Sequence, residues 1–397
     1  MGRQSTRASE HQSVIKAGEK VLMPGNEAIA QAALDAGCRF YAGYPITPQN
    51  EIIAYMAQHM PEAGGVFIQS ESELAAINMV LGASACGVRA MTSSSSPGIS
   101  LMQEGISYLA GAQLPAVIVN IMRAGPGLGN IWPAQSDYFQ AVKGGGHGDY
   151  HCMVIAPSTV QEAYDWTIKA FDLADKYRIP VIILGDGMLG QMMEPLFVAR
   201  DGDKRITNHE PRITKSWAAT GCKGRPANVV KSFRLQMGDL EQLNEELQEK
   251  YSRIKAKEQI SQGLFLEDAR IVLVAYGTMA RMAKDAVNAL REQGLKAGLL
   301  RPISLWPFPV DILKQITKKL KKILVVEMSY GQMVEDVKLA VNGRVEVDFL
   351  GRSGGGILSP EEITAKAKGL LGAKESIKRT AKIAKKVIAE GDFLENE

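Results

Sequence analysis

Four cysteines are the only thiols in 397 residues, and no two of them are close enough to form a CxxC pair. Cys38, Cys86, Cys152 and Cys222 therefore argue against an iron–sulfur cluster or a structural zinc carried wholly by this chain. Isolated thiols point to a reducing compartment, each read as a small buried hydrophobe. Aromatic residues are sparse at 6%, and the formal net charge is only +3. No basic stretch is interleaved with rings, so neither duplex nor single-stranded nucleic acid is an expected partner. No apolar run reaches the length of a membrane span. Residues 1–20 lack the apolar region and cleavage site of a signal peptide and read as a flexible tail. The cytoplasm is the expected compartment.

What is present is ordinary globular composition, 46% hydrophobic and 22% charged, in a chain long enough for two or three domains. From residue 21 to 200, helical periods alternate with short apolar runs. GNEAIAQAALDAG (25–37) reads as an amphipathic helix stopped by Gly, and RFYAGYP (39–45) as a strand leading into a loop. GVRAMTSSS (87–95), PAVIVNIMR (115–123) and PVIILGDG (180–187) read as strands, and 159–177 as a long helix. Apolar strands alternating with helices imply a parallel sheet covered on both faces, with ligands beyond the carboxyl ends of its strands. Those ends are YPITPQ, TSSSSPG and MRAGPGLGN. Residues 201–267 form a linker in which Leu240, Leu243, Leu247, Tyr251 and Ile254 make a narrow stripe along a charged helix. The strand–helix rhythm restarts over 268–372, a second and smaller α/β domain in which LKAGLLRPISLWPFP (295–309) reads as one strand. Residues 373–397 end the chain with a basic amphipathic helix, a solvated face or a dock for an acidic partner.

Within QSESELAAINMVLGASACG (69–87), two glutamates precede a run of Leu, Ala and Ile. Carboxylates seldom stand where a helix is about to be buried. Glu73, followed by Leu74, Ala75, Ala76 and Ile77, is disposed to hold or share a proton. Small residues behind it let a flat ring or a second subunit approach. The alternative makes Glu73 a helix N-terminal charge stabilised by the dipole. In YPITP, Pro45 and Pro48 fix the backbone and so the direction of the Thr47 hydroxyl. TSSSSPG (92–98) gathers hydroxyls that either line a pocket or form a polar turn. Arg123 ends an apolar strand with a guanidinium able to grip a carboxylate in a fork, or to lie in solvent. His147, in the Gly-rich GGGHGDY (144–150), is a candidate proton donor or a surface residue.

The order GNEAIAQAAL, YPITPQNEI, ESELAAINMVLGA, TSSSSPGISLMQEG, IMRAGPGLGN and KGGGHGDY resembles the thiamine-diphosphate pyrimidine-domain subunit of 2-oxoacid:ferredoxin oxidoreductases. The likeness runs from about residue 22 to 372, and the second domain is similar to the transketolase C-terminal domain. The resemblance implies an α/β fold of those two parts. It also implies that one glutamate contacts N1′ of the cofactor's aminopyrimidine, where proton sharing prepares the thiazolium C2 to attack the keto carbon of the substrate. A Glu ahead of small residues, with a Gly nine positions later at Gly82, selects Glu73; Glu71 then caps or hydrogen-bonds nearby. By the same resemblance Thr47 lies over the ring near the substrate carboxylate, Arg123 binds that carboxylate, and His147 is a second substrate candidate. Tyr44, Pro45, Ile46, Ser95 and Ser96 line the cofactor. GPGLG and the residues after it look most like the branched-chain 2-oxoisovalerate type. The alternatives are a 2-oxoglutarate or pyruvate enzyme, half of a non-oxidative thiamine enzyme, or an inactive scaffold.

The family also needs parts that this chain lacks. GDG at 185–187 is not followed by an Asn pair, so it reads as a strand-end turn and not as a magnesium–diphosphate signature. GRSGGG (351–356) has no P-loop lysine. The resemblance therefore implies a beta subunit with the diphosphate-binding domain and magnesium, together with gamma and ferredoxin-like subunits. Iron–sulfur clusters would lie on partners, with CoA, a 2-oxoacid and ferredoxin as reactants. The chain alone is expected to be inactive.

Overall fold

A computed structural model describes residues 20–198, 215–317 and 320–372. The readings of an N-terminal tail, of the first part of the 201–267 linker and of a basic C-terminal helix fall on residues outside these, Lys20 excepted. Among the described residues the strands form three sheets. A short antiparallel pair joins β1 (Lys20–Pro24) to β8 (Met193–Phe197).

The largest sheet holds β2 (Phe40–Gly43), β3 (Val66–Gln69), β4 (Ala90–Ser94), β5 (Ala116–Met122), β6 (Met153–Ile155), β7 (Pro180–Asp186) and β12 (Ser304–Trp306). Their order is β12-β6-β7-β5-β4-β2-β3, parallel throughout except for β12. β5 and β7 are buried along their whole length, as central strands covered on both faces must be. The cover comes from α1 (Gly25–Asp35), α2 (Asn50–His59), α3 (Glu73–Ala85), α4 (Ser96–Gly111), α5 (Tyr138–Lys143), α6 (Val160–Tyr177) and α7 (Gly187–Gln191). α4 was legible only as hydroxyl-rich loop. Pro97 opens it, where the missing N–H of proline has no intrahelical partner to lose.

The smaller sheet runs β14 (Glu346–Gly351), β13 (Lys322–Glu327), β10 (Ile271–Val274), β11 (Ala297–Pro302) and β9 (Ser261–Leu264). α9 (Met279–Glu292), α10 (Val310–Ile316) and α11 (Met333–Val341) accompany it. The stretch 295–309 is two strands, not one. After β11 the chain leaves the smaller sheet, and β12 pairs antiparallel with β6 of the larger one. Packing explains the departure. Trp306 stacks on His151 at 4.6 Å and meets Tyr251 edge-on at 5.5 Å. Tyr251 belongs to α8 (Asp239–Lys257), whose Leu243, Leu247 and Ile254 are buried while Leu240 is 50% exposed.

The two sheets are also joined through Gln135, which is fully buried. Its amide nitrogen donates to the Tyr276 carbonyl (2.9 Å), and its side-chain oxygen accepts from Met328 N–H (3.0 Å). The Gly-rich loops 124–130 and 351–356 pack on one another, Asn130 Nδ2 donating to the Gly354 carbonyl at 3.1 Å. Cys38 and Cys152 are buried as expected, but Cys86 and Cys222 are exposed; all four are free. No helix among the described residues is long and apolar enough to cross a membrane.

Candidate active site

The carboxyl ends of β2, β4 and β5 lie side by side, and the loops leaving them bring most of the candidate residues together. Glu73 is the first residue of α3 and only 4% exposed. The helix is capped by Ser72, whose Oγ accepts from Ala75 N–H at 3.2 Å. Glu71 is exposed and does not cap. One oxygen of Glu73, Oε1, accepts from Ser94 Oγ at the end of β4 (3.2 Å). Its other oxygen has no protein partner among the described residues. Opposite stands Gly98 in the first turn of α4. A Cβ there would lie 2.0 Å from Ser94 Oγ and 2.3 Å from Glu73 Oε1, so only glycine lets α4 approach this closely.

The inward face of α3 buries Ala76, Ile77 and Val80. Its outward face does not conform to a buried run: Leu74 is 45% exposed, Asn78 and Gly82 are exposed, and a Cβ on Gly82 would touch nothing within 4 Å. A helix apolar on all sides with one side uncovered is unusual in a free-standing chain.

The loop after β2 carries Tyr44 and Pro45, both exposed, and Ile46, which is half-buried. Thr47 is exposed, and its Oγ1 accepts from Asn50 Nδ2 at 3.3 Å. The loop is held from beneath by residues that carry no motif. Gln49, fully buried, donates to the Tyr44 carbonyl (3.3 Å) and accepts from Ser93 Oγ (2.6 Å). Ser93 in turn shares a 2.6 Å hydrogen bond with Tyr41. Asn26 Nδ2 donates to the Pro48 carbonyl at 2.7 Å.

Arg123 is not a solvated strand end, being 7% exposed. Its Nη1 donates to the Thr47 carbonyl and its Nη2 to the Leu128 carbonyl, both at 3.0 Å. The guanidinium thus clasps the YPITP loop to the GPGLG loop. Its Nε is buried without a partner among the described residues, so part of its hydrogen-bonding capacity is uncommitted. Ser96 Oγ accepts from Arg123 N–H (3.0 Å) and donates to Asp137 Oδ2 (2.6 Å). Asn120 Nδ2 also donates to Asp137, at 2.9 Å. Burial pushes the Asp137 carboxyl above its ordinary value, against the lowering effect of those two bonds. Asp137 carried no motif in the sequence; it precedes α5, its side chain makes no cap bond, and it accepts from Ser96 instead. Ser95 is fully buried, and its Oγ has no partner among the described residues.

His147 stands apart. It is exposed, and its loop is seated on α4: Gly145 N–H donates to Gln103 Oε1, and Ser107 Oγ donates to the His147 carbonyl, both at 3.0 Å. No contact joins it to Glu73, Thr47 or Arg123 among the described residues. The GDG turn also has a structural task. Asp186 caps α7 by accepting from Met188 and Leu189 N–H (2.9 and 3.1 Å), and it takes a hydrogen bond from Thr278. No cluster of His, Cys, Asp and Glu fit to hold a metal occurs among the described residues. The site thus sets a buried carboxylate with one uncommitted oxygen at the end of β4, and an arginine clasps two of the neighbouring loops together.

Comparison with known proteins shows the family. Residues 31–260 match the family model for the thiamine diphosphate-binding part of pyruvate flavodoxin/ferredoxin oxidoreductase, and residues 269–363 match core domain II of pyruvate:ferredoxin oxidoreductase. The chain is 50% identical over 351 residues to ketoisovalerate oxidoreductase subunit VorB of Methanothermobacter marburgensis, covering 88% of this chain and 98% of that one. It is 38% identical over 367 residues to 2-oxoglutarate synthase subunit KorA of Methanothermobacter thermautotrophicus, covering 87% and 97%. Among solved structures it is similar to 2-oxoglutarate:ferredoxin oxidoreductase from Magnetococcus marinus, with a TM-score of 0.77 and 26% identity over 88% of this chain. The chain spans 65% of that protein's length. A split-gene transketolase shares the fold at a TM-score of 0.52 and 14% identity, covering 86% of this chain and 95% of the other.

Proposed function

The chain belongs to the 2-oxoacid:ferredoxin oxidoreductase family, and from that premise we propose that it supplies the pyrimidine half of a thiamine-diphosphate site whose diphosphate half comes from a partner subunit. The assembled enzyme would oxidatively decarboxylate a 2-oxoacid to its acyl-CoA and pass the electrons to ferredoxin. The observation that carries this reading is Glu73: 4% exposed, with one oxygen held by Ser94 and the other uncommitted. The residues present fit the cofactor. Gly98 keeps the first turn of α4 clear of that carboxylate, and the unpartnered Ser95 hydroxyl leaves a second polar atom free nearby in the chain.

When bound, thiamine diphosphate would supply the electron sink for breaking the bond between C1 and C2 of the oxoacid. Glu73 holds and returns the proton at its uncommitted oxygen, and Ser94 fixes the rotation of the carboxylate. Arg123 keeps the Thr47 loop in place, and its uncommitted N–H groups offer a fork to the substrate carboxylate. Tyr44, Pro45, Ile46, Thr47, Ser95 and Ser96 line the cofactor side. Magnesium and the iron–sulfur clusters are assigned to partner subunits, which agrees with four separated cysteines here.

The greater identity to a ketoisovalerate subunit than to a 2-oxoglutarate subunit, 50% against 38%, supports a branched-chain 2-oxoacid as substrate. The test is reconstitution with the partner subunits, followed by CoA-dependent viologen reduction with 2-oxoisovalerate, 2-oxoglutarate and pyruvate in turn. The expected order of kcat/KM places 2-oxoisovalerate first, and Glu73→Gln lowers it by roughly 100-fold or more. Activity of the purified chain alone, or full activity of Glu73→Gln, would overturn the reading.

A further inference from the structure

A second cleft lies between elements of the two sheets, with Val142 and Lys143 at the end of α5 in its lining and neither Ser96 nor Asp137 among its residues. Its volume is about 670 Å³, in the range that small-molecule ligands occupy. The turn after β12, the last turn of α8, the start of α10 and the end of α11 form its walls. The floor is apolar, built on Leu305, Pro307 and Val310, with His151 and Phe308 as half-buried rings.

The rim is cationic. Lys143 is paired with Asp336, and Lys314 stands 4.0 Å from Asp311. Lys255 and Arg344, both exposed, have no carboxylate partner among the described residues. The Lys255 ammonium lies 5.8 Å over the Trp306 ring, which also stacks on His151. Burial, and then Lys255 and Lys143, hold His151 down to about 4, so the imidazole is a neutral ring at physiological pH. Lys314 and Arg344 also line an adjoining hollow of about 420 Å³, which extends the basic rim away from the rings.

An apolar floor with flat neutral rings, rimmed by cations that no carboxylate pairs, suits a ligand with a planar ring and phosphate groups. We propose that this cleft binds a nucleoside phosphate, its base against His151 and Phe308 and its phosphates toward Lys255 and Arg344. Nothing in the chemistry assigned to Glu73 requires this cleft. The bound nucleotide is either free or the ADP end of a larger cosubstrate such as CoA, and the two sources share the same recognition.

The test is equilibrium binding of ADP to the assembled complex, with competition by CoA and by inorganic phosphate. ADP is expected to bind, and more weakly as salt is raised. Lys255→Glu and Arg344→Glu, both at exposed positions, should each weaken ADP roughly tenfold, the size of a lost charge-assisted hydrogen bond. Oxoacid oxidation at saturating substrates should be unchanged by Lys255→Glu if the nucleotide is free. Competition by CoA would assign the cleft to the cosubstrate's nucleotide end; no competition would assign it to a free nucleotide. No ADP binding, binding indifferent to both reversals, or displacement by inorganic phosphate at equal concentration would overturn the proposal.

Discussion

Replacing Gly98 with alanine adds one carbon at the point where α4 comes closest to the candidate carboxylate. The backbone of Gly98 is not in the left-handed region, so alanine is conformationally allowed and gains about 1 kcal/mol of helix propensity. Against that, the new carbon falls 2.3 Å from Glu73 Oε1 and 2.0 Å from Ser94 Oγ, where ordinary contact starts near 3.4 Å. Both clashing atoms end side chains that can rotate, so overpacking should cost about 1–3 kcal/mol and the fold should survive. The carboxylate, however, must retreat by about 1 Å, and a displacement of that size costs roughly 100-fold in rate. The assay is viologen reduction by the reconstituted complex, read beside a thermal melt. Gly111→Ala on the same helix is the control, since its nearest heavy atom is Ser232 Cβ at 3.3 Å. A Gly98→Ala enzyme within threefold of wild-type kcat, with an unshifted melt, would refute the placement of Glu73 at the chemistry.

Gly82→Ala should stabilise the isolated chain by up to about 1 kcal/mol, because a methyl there meets open space. The same change should weaken assembly, as measured by subunit titration, if a partner packs against that face. Lys250 is 5% exposed, and burial, with Arg178 next, lowers it to about 7 from 10.5. Between those values the unfolded chain holds the extra proton, so this lysine makes stability rise with pH by up to about 1.4 kcal/mol per unit. Urea denaturation at pH 7.5 and 9.0 should show that increment in wild type and lose it in Lys250→Met. Arg301 is 4% exposed and grips Glu162 with contacts of 2.5 and 2.6 Å. Arg301→Met should cost about 3–5 kcal/mol near neutrality by leaving Glu162 unpaired. Burial pushes Glu162 up, but the Arg301 contacts outweigh it and hold the carboxyl low, so the pair's contribution is present at neutral pH and fades as acid protonates Glu162. Equal stability of the variant at pH 7 would count against that pair.

The alternation of apolar strands and helices was legible because burial on both faces writes itself as continuous runs, as in β5 and β7. Glu73 was legible as an anomaly of pattern, a charge at the head of an apolar helix. Its supports were not. Gly98 and Ser94 matter through a close approach between two helices and a strand end, and nothing in the local sequence announces which glycine meets which carboxylate. Arg123 was visible as a strand-end guanidinium, yet its partners are backbone carbonyls of Thr47 and Leu128, which leave no trace in residue type. Asp137 was hidden because its partners, Ser96 and Asn120, are remote in sequence. Ser304–Trp306 read as the continuation of β11 because the pull on it comes from His151 and Tyr251, distant in sequence and reachable only once both sheets exist.

The short strand β12 makes the polypeptide hard to divide. Were the gene split ahead of Ile271, the upstream product would expose the backbone amides of Met153–Ile155 along a bare margin, an invitation to aggregate. The downstream product would carry Trp306 with nowhere dry to put it. Each fragment would need the other at birth, so any fission that survived selection would have to cut elsewhere or keep the two products translated side by side.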